Sequence, residues 1–276
     1  MPKNLQSLIK IEIKKGFKEK DVFTMEIALE RIRNCVNGIL NLYYLKLTEL
    51  PPLPEGIVEL NCSNNQLTSL PPLPSTLKKL ICSSNQLTSL PELPSLHLLY
   101  CYANQLTSLP PLPSSLRDLY CSTNRLTSLP LLPSTIQYIK CCRNPLTTLP
   151  NLPLELRELL CTYCTLASLP PLPARLCRLL CLGNSLETLP ELPSTLQELR
   201  CDLPMFDDTI AMIQLESWTV KLTNDMIRKA TVVWEGLSRE RCNKRCAQYK
   251  EEIMMKAWHP SRVEKLLHMG YDVEDM

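Results

Sequence analysis

Between residues 40 and 201 the apolar positions recur about every twenty residues, and each period contains two different rhythms. The first is alternation. In LKKLICSSNQLTSLPELPS, which begins at Leu77, Leu80 and Cys82 fall on one side, with Lys79, Ile81 and Ser83 on the other. A period of two marks a short strand with one face buried. The second rhythm is LPxLP, where the prolines remove backbone donors and exclude a helix. An extended, polyproline-like return path needs no backbone ladder, so it tolerates them without loss. Aligning a second copy, LRDLYCSTNRLTSLPLLPST from Leu116, gives the frame LxxLxCxxNxLTSLPxLPST.

Cysteine marks the register of this frame at Cys62, Cys82, Cys101, Cys121, Cys141, Cys161, Cys181 and Cys201. The steps are of twenty residues except one of nineteen, between Cys82 and Cys101, which lacks one residue of the PST turn at Pro94, Ser95 and Leu96. The loss falls in a connection, so the strand frame is expected to survive it. An earlier copy without cysteine, LNLYYLKLTELPPLP, puts Leu42 on the same site. The stretch LxxLxCxxNxL is the leucine-rich repeat signature, a strand followed by a turn held by a buried asparagine. Asn65, Asn85, Asn104, Asn124, Asn144 and Asn184 occupy that place and supply both amide donors and an acceptor to the turn. Neighbouring copies stack as a parallel sheet, because one repeat alone cannot bury enough surface to order its backbone.

The predicted fold is therefore an α/β leucine-rich repeat solenoid, with a parallel sheet on the concave face, an extended polyproline-like convex face and helical caps at both ends. Residues 1–38 are read as an N-terminal helical cap: Val22, Met25, Leu29, Ile32 and Val36 recur at helical spacing, and Gly38 sits where a C-terminal cap belongs. Residues 39–204 hold about eight to nine repeats of 20 residues. After Cys201 the motif fails, with Asp202, Leu203 and Pro204 in place of the turn. Residues 205–276 are read as a helical cap or small subdomain. Met226, Ala230, Val233, Trp234 and Leu237 mark one helix, and Cys242, Cys246, Tyr249 and Ile253 a second. A third runs from the N-cap Ser261, with Glu264 three residues on, to Gly270.

Composition sharpens this picture in three places. Proline occurs 24 times and glycine 6 times, which fits the LPxLP return path and neither collagen nor a flexible linker. A net charge of +2 provides no global field for nucleic acid or an acidic membrane, and the start, MPKNLQSLIKIEIKKG, has lysines in every apolar run. The chain reads as soluble and cytoplasmic, without a cleaved signal, membrane insertion or a nucleic-acid partner. Fourteen cysteines suggest a disulfide framework, but eight share one inward site and behave as small hydrophobes.

Candidate chemistry is sparse. In-register strands stand wider apart than a disulfide spans, and no histidines accompany the cysteine ladder as zinc ligands. Cys164 replaces an asparagine, and a thiol is a poor substitute for an amide, so the turn near Thr165 is expected to be looser. Cys242 and Cys246 lie one helical turn apart, but the nearest histidine, His259, is beyond a helix break. With only His97, His259 and His268, no phosphate loop and no paired carboxylates, no nucleophile has a base; no catalytic residue, metal or cofactor is expected. The basic run Arg239, Arg241, Lys244 and Arg245 is interleaved with Glu235, Glu240, Glu251 and Glu252 and reads as a solvated helix face.

The outward strand positions carry the functional signal, because solvent-facing sites are polar unless something binds there. Reading along the stack, the candidate binding residues are Ile81, Leu98, Tyr100, Tyr102, Tyr120, Tyr138, Lys140, Leu160, Leu180 and Leu182. They form an aromatic and aliphatic strip with charged edges at Asp118, Glu158 and Arg178, the composition of a protein interface with anchors and a polar rim. Strand propensity alone also favours tyrosine and isoleucine. Clustering between Ile81 and Leu182 favours the binding face.

The full frame, with LTSLPxLPST between asparagine turns and a helical segment leading into LNLYYLKLTELPPLP, resembles the LPX-type leucine-rich repeats of secreted bacterial effectors of the YopM and IpaH type. The resemblance covers roughly residues 20–204 and implies delivery into a eukaryotic cell and binding of a host protein. Two features depart from it. Cysteine at the inward strand site is unusual for those effectors, and the IpaH ligase motif Cys-x-Asp has no counterpart. Cys242 is followed by Asn243 and Lys244, and Cys246 by Ala247 and Gln248. The ending AWHPSRVEKLLHMGYDVEDM is similar to tails of repeat proteins of large DNA viruses. The expected function is a non-enzymatic protein-interaction module, effector-like or viral, that binds a host protein on its concave face. A self-assembling structural or virion component is the alternative, and ubiquitin transfer through a tail cysteine a remote one. The oligomeric state stays open.

Overall fold

The computed structural model describes residues 19–186 and 188–201; the helices expected after Asn224 and the whole of 205–276 lie outside the described residues. One helix, α1 (Glu19–Arg33), precedes nine three-residue strands. These are β1 (Ile39–Asn41), β2 (Glu59–Asn61), β3 (Lys79–Ile81), β4 (Leu98–Tyr100), β5 (Asp118–Tyr120), β6 (Tyr138–Lys140), β7 (Glu158–Leu160), β8 (Arg178–Leu180) and β9 (Glu198–Arg200). They form a single parallel sheet in chain order, so the chain winds as a solenoid of about eight turns. The proline-rich return path of each turn is extended and carries neither strand nor helix.

The middle residue of every strand points inward, and Leu60, Leu80, Leu99, Leu119, Ile139, Leu159 and Leu179 are fully buried. The following inward site is the cysteine ladder: Cys62 through Cys181 are likewise at 0% exposure, and Leu42 fills that site in the first copy. All the described cysteines are free thiols. With the LPxLP leucines packed from the back, each turn contributes one layer to a continuous core. The nineteen-residue step is absorbed in the connection, where Leu96 N–H donates to Pro94 O at 2.6 Å. Full-length turns close three residues back instead, as at Leu77 to Pro74. Register is kept, with Lys79, Leu80 and Ile81 opposite Leu98, Leu99 and Tyr100.

The asparagines bridge adjacent repeats. Asn124 Nδ2 donates to Cys101 O and Cys121 O at 3.0 Å, while its Oδ1 accepts from Leu106 N at 3.0 Å. The other five repeat this pattern, so each side chain staples two turns together. The residue just before each asparagine, and before Cys164 in the repeat that lacks one, is left-handed: Asn64, Ser84, Ala103, Thr123, Arg143, Tyr163 and Gly183 have φ between 53° and 67°. Only the last is glycine. For L-residues this conformation costs about 1 to 2 kcal/mol, and β-branched Thr123 bears it least well. Because Thr123 is exposed, Thr123→Gly is expected to stabilise the chain by about 0.5 to 1 kcal/mol, glycine's greater unfolded-state entropy offsetting part of the relief. Urea unfolding measures this, and a loss of stability would show that the threonine side chain outweighs its backbone strain.

Three expectations are corrected at this level. The helix ends at Arg33, and Val36 is 88% exposed; the buried helix residue is Ala28, flanked by Ile27 and Ile32 against the core. Gly38, at φ +68°, therefore opens the first strand rather than capping the helix, its carbonyl accepting from Val58 and Glu59 N–H. The turn around Cys164 is looser only in its side-chain bonds, sulfur contacts of 3.5 and 3.8 Å, and not in its backbone. Thr165 N–H donates to Leu146 O at 3.0 Å as in the other repeats, and its hydroxyl adds a second bond at 2.9 Å.

Candidate protein-binding face

Parallel, in-register pairing sorts the outward side chains into two columns about 4.8 Å apart per step. Glu59, Lys79, Leu98, Asp118, Tyr138, Glu158, Arg178 and Glu198 form the first, and Asn61, Ile81, Tyr100, Tyr120, Lys140, Leu160, Leu180 and Arg200 the second. The strand residues of the strip, Ile81, Leu98, Tyr100, Tyr120, Tyr138, Lys140, Leu160 and Leu180, are all half-buried on this face.

The register brings three of them into contact. Tyr100 and Tyr120 sit on adjacent strands at the same position, and their rings stack with centroids 4.4 Å apart and planes 9° from parallel. Lys140, one strand further, places its ammonium 4.6 Å from the Tyr120 centroid. A cation over a tyrosine face is attracted by the ring quadrupole, so the stack is capped at one end by charge. Burial, with Tyr100 and the Asp118 and Glu158 carboxylates nearby, pushes the Tyr120 hydroxyl above its usual range. Burial likewise raises the Asp118 carboxyl, more than Arg117 lowers it.

Beyond the stack, Leu160 and Leu180 continue the column as an aliphatic segment. Ion pairs stand at either end of the face. Glu59 meets Lys79 at 3.3 Å, and Glu198 receives Arg178 at 2.6 Å and Arg200 at 3.0 Å. Exposed pairs of this kind contribute about 0 to 1 kcal/mol each to stability.

The third outward column is less uniform than the alternation predicts. Tyr102 is exposed and Leu182 half-buried, but Ser83 is at 0% exposure. Its buried hydroxyl has no hydrogen-bond partner among the described residues. Beside this column lies a feature that sequence reading missed. Tyr163 is 60% exposed, the Arg143 guanidinium lies 5.6 Å from its ring, and a Cβ added at Gly183 would meet Tyr163 Cδ1 at 2.5 Å. A lone glycine in an otherwise glycine-free column of the repeat was the available signal.

The ladder thiols are set apart from this chemistry. Burial pushes Cys62 up to about 12, and raises Cys82, Cys101, Cys121, Cys141 and Cys161 as well. A protonated thiol is neither nucleophile nor metal ligand. Among the described residues, no three His, Cys, Asp or Glu side chains are grouped to hold a metal ion, and no helix is long and apolar enough to cross a membrane. His97 is exposed beside β4. Cys242, Cys246, His259, His268 and the basic run lie outside the described residues.

Residues 75–114 match the family described as Leucine Rich repeats (2 copies). No curated protein matches the chain. Among solved structures, the chain is similar to YopM, a leucine-rich effector protein from Yersinia pestis, at 30% identity and a TM-score of 0.61, over 72% of this chain and 66% of that one. It is also similar to the repeat domain of a Shigella effector, at 32% identity and a TM-score of 0.54, over 74% of this chain and 84% of that one. The chain thus spans just under two thirds of the Yersinia pestis protein's length and most of the Shigella domain's.

Proposed function

The chain belongs to the leucine-rich repeat family represented by the Shigella effector domain, and from that premise we propose that it captures a host protein on the sheet face, without catalysis. The stacked Tyr100 and Tyr120 carry this reading. Two aromatic rings held rigid by strand register present a large contact area at little entropic cost, which is what interface anchors require. Leu98, Tyr138, Leu160 and Leu180 extend the anchor, Ile81, Tyr102 and Leu182 border it, and the ion pairs at the two ends form its polar rim.

In this reading the protein is an effector-like or viral interaction module that works in the host cytoplasm. Its binding domain is 39–204, preceded by a helical cap at 1–38 and followed by a helical segment at 205–276. The similarity to secreted bacterial effectors supports the class of partner, and the face supports the place where it docks.

The test is a double substitution, Tyr100→Asp with Tyr120→Asp. Both side chains point away from the core, so circular dichroism and the unfolding midpoint should stay close to those of the parent chain. Burying two carboxylates in place of two anchors should weaken partner capture from eukaryotic lysate by at least about 30-fold, the scale of one lost anchor of 2 kcal/mol. Capture of the same proteins by the folded double variant would remove this face from consideration.

A further inference from the structure

The charges on the face are not all spoken for. Glu59 and Glu198 have cationic partners, whereas Asp118 and Glu158 make no ion pair with any described residue. They occupy the same column on β5 and β7, with Tyr138 between them, about 10 Å apart by two strand spacings. Both carboxylates help to raise the Tyr120 hydroxyl, which puts them within electrostatic reach of the aromatic stack. Arg117 and Arg157 precede them in sequence, but among the described residues neither forms an ion pair with its neighbour, and Arg117 lowers the Asp118 carboxyl by less than burial raises it.

We propose that this central part of the face, from β4 to β7, recognises a basic side chain, a lysine or arginine of the partner protein, laid against the tyrosines and received between Asp118 and Glu158. The inference rests on the binding face proposed above and specifies the chemistry of what it holds. A long cationic side chain suits the site at both ends. Its aliphatic stem covers Leu98 and the rings, and its head reaches carboxylates that lack a partner. Tyr100 and Lys140 already cover the two faces of the Tyr120 ring, so the incoming stem lies along the outward ring edges while its head is drawn to the carboxylates. An acidic side chain would find Lys140 alone, already seated on a ring, and would face two carboxylates of its own sign. Carboxylates left half-buried and unpaired also oppose capture of apolar surface by itself, since docking would desolvate them without compensation.

The probe is an acetylated, amidated peptide, Leu-Arg-Leu-Arg-Leu, compared with the same peptide carrying glutamate in place of arginine. Titration would be followed by tyrosine fluorescence and by amide chemical shifts of β4 to β7, on the full chain. The arginine peptide is expected to bind at least about tenfold more tightly, to weaken as salt is raised, and to lose about tenfold in the Asp118→Asn, Glu158→Gln double variant. Equal binding, preference for the glutamate peptide, or no binding of either overturns the proposal. Partner capture separates this proposal from the one beneath it. If the carboxamide variant keeps the partner while Tyr100→Asp with Tyr120→Asp loses it, the cation site falls and the aromatic face stands. If the tyrosine variant keeps the partner, the face itself falls.

Discussion

Replacing Asn124 with alanine is expected to cost about 3 to 5 kcal/mol, more than a typical core truncation in a repeat of this size. The side chain occupies a buried turn and makes no contact with solvent-facing chemistry, so its loss is purely structural. It leaves Cys101 O and Cys121 O without their donor and Leu106 N–H without its acceptor. Each orphaned buried group costs about 1 to 3 kcal/mol, and a void in place of the amide admits no ready substitute. Because the asparagine bonds to two turns, the damage falls on the interface between repeats, where solenoid stability resides. Urea unfolding of the Asn124→Ala variant should show the loss in midpoint, and a change below about 1 kcal/mol would mean that water serves the turn equally well. The chain contains its own control at Cys164. There the thiol reaches Cys141 O at 3.5 Å and Thr162 O at 3.8 Å, the weak long contacts of sulfur. Cys164→Asn should therefore gain stability, restoring the paired amide bonds made by Asn144 and Asn184 on either side.

This asymmetry shows where the sequence is informative. The strand frame, its phase and the tolerated nineteen-residue step are all readable, because side-chain alternation and a repeated Leu-x-Cys fix which atoms face the core, and a one-residue slip would expose every one of them. The asparagines are readable for the same reason: a buried amide at a constant offset has few other uses. The left-handed residue at the turn is not, since the position is filled by Ser84, Ala103, Thr123 and Arg143 before asparagines and by Tyr163 before Cys164, residues with no common preference for that conformation. There the backbone obeys the bonds around it and the side chain merely endures the strain. The end of α1 was misjudged because Val36 continues the apolar spacing while the backbone does not continue the helix.

On the face, composition located the strip but not its internal pairing. That Tyr100 and Tyr120 would stack follows from register only once the strands are known to be in line. Which carboxylates are neutralised depends on distances of a few ångströms between long side chains, and no sequence pattern separates Glu198, which holds two arginines, from Glu158, which holds none. The chemistry of the outward face is thus the part least visible in the repeat, because the repeat constrains only what faces inward.

What faces inward leads to a second large effect. Six ladder thiols, at Cys62, Cys82, Cys101, Cys121, Cys141 and Cys161, are raised by burial well above the ordinary value of 9.0. Below pH 9 they are protonated in folded and unfolded chains alike, and stability does not depend on them. Above it the unfolded chain releases protons that the folded chain keeps, so the unfolded state binds fewer and stability falls as pH rises. The window opens near 9 and closes only near 12, where Cys62 begins to ionise in place. At pH 10 each thiol opposes folding by on the order of 1 kcal/mol, and the six together by several, a large share of the stability of an ordinary domain. The chain is therefore expected to unfold cooperatively around pH 10, with Tyr120 acting in the same direction. Circular dichroism across pH 8 to 11, with and without urea, measures the slope. Removing two thiols in Cys101→Ala with Cys121→Ala should lower stability at pH 7 through lost packing, yet make the alkaline decline about one third shallower. A decline equally steep in that variant would assign the slope to groups other than the ladder, and none up to pH 10.5 in the parent chain would show that the ladder yields its protons without unfolding.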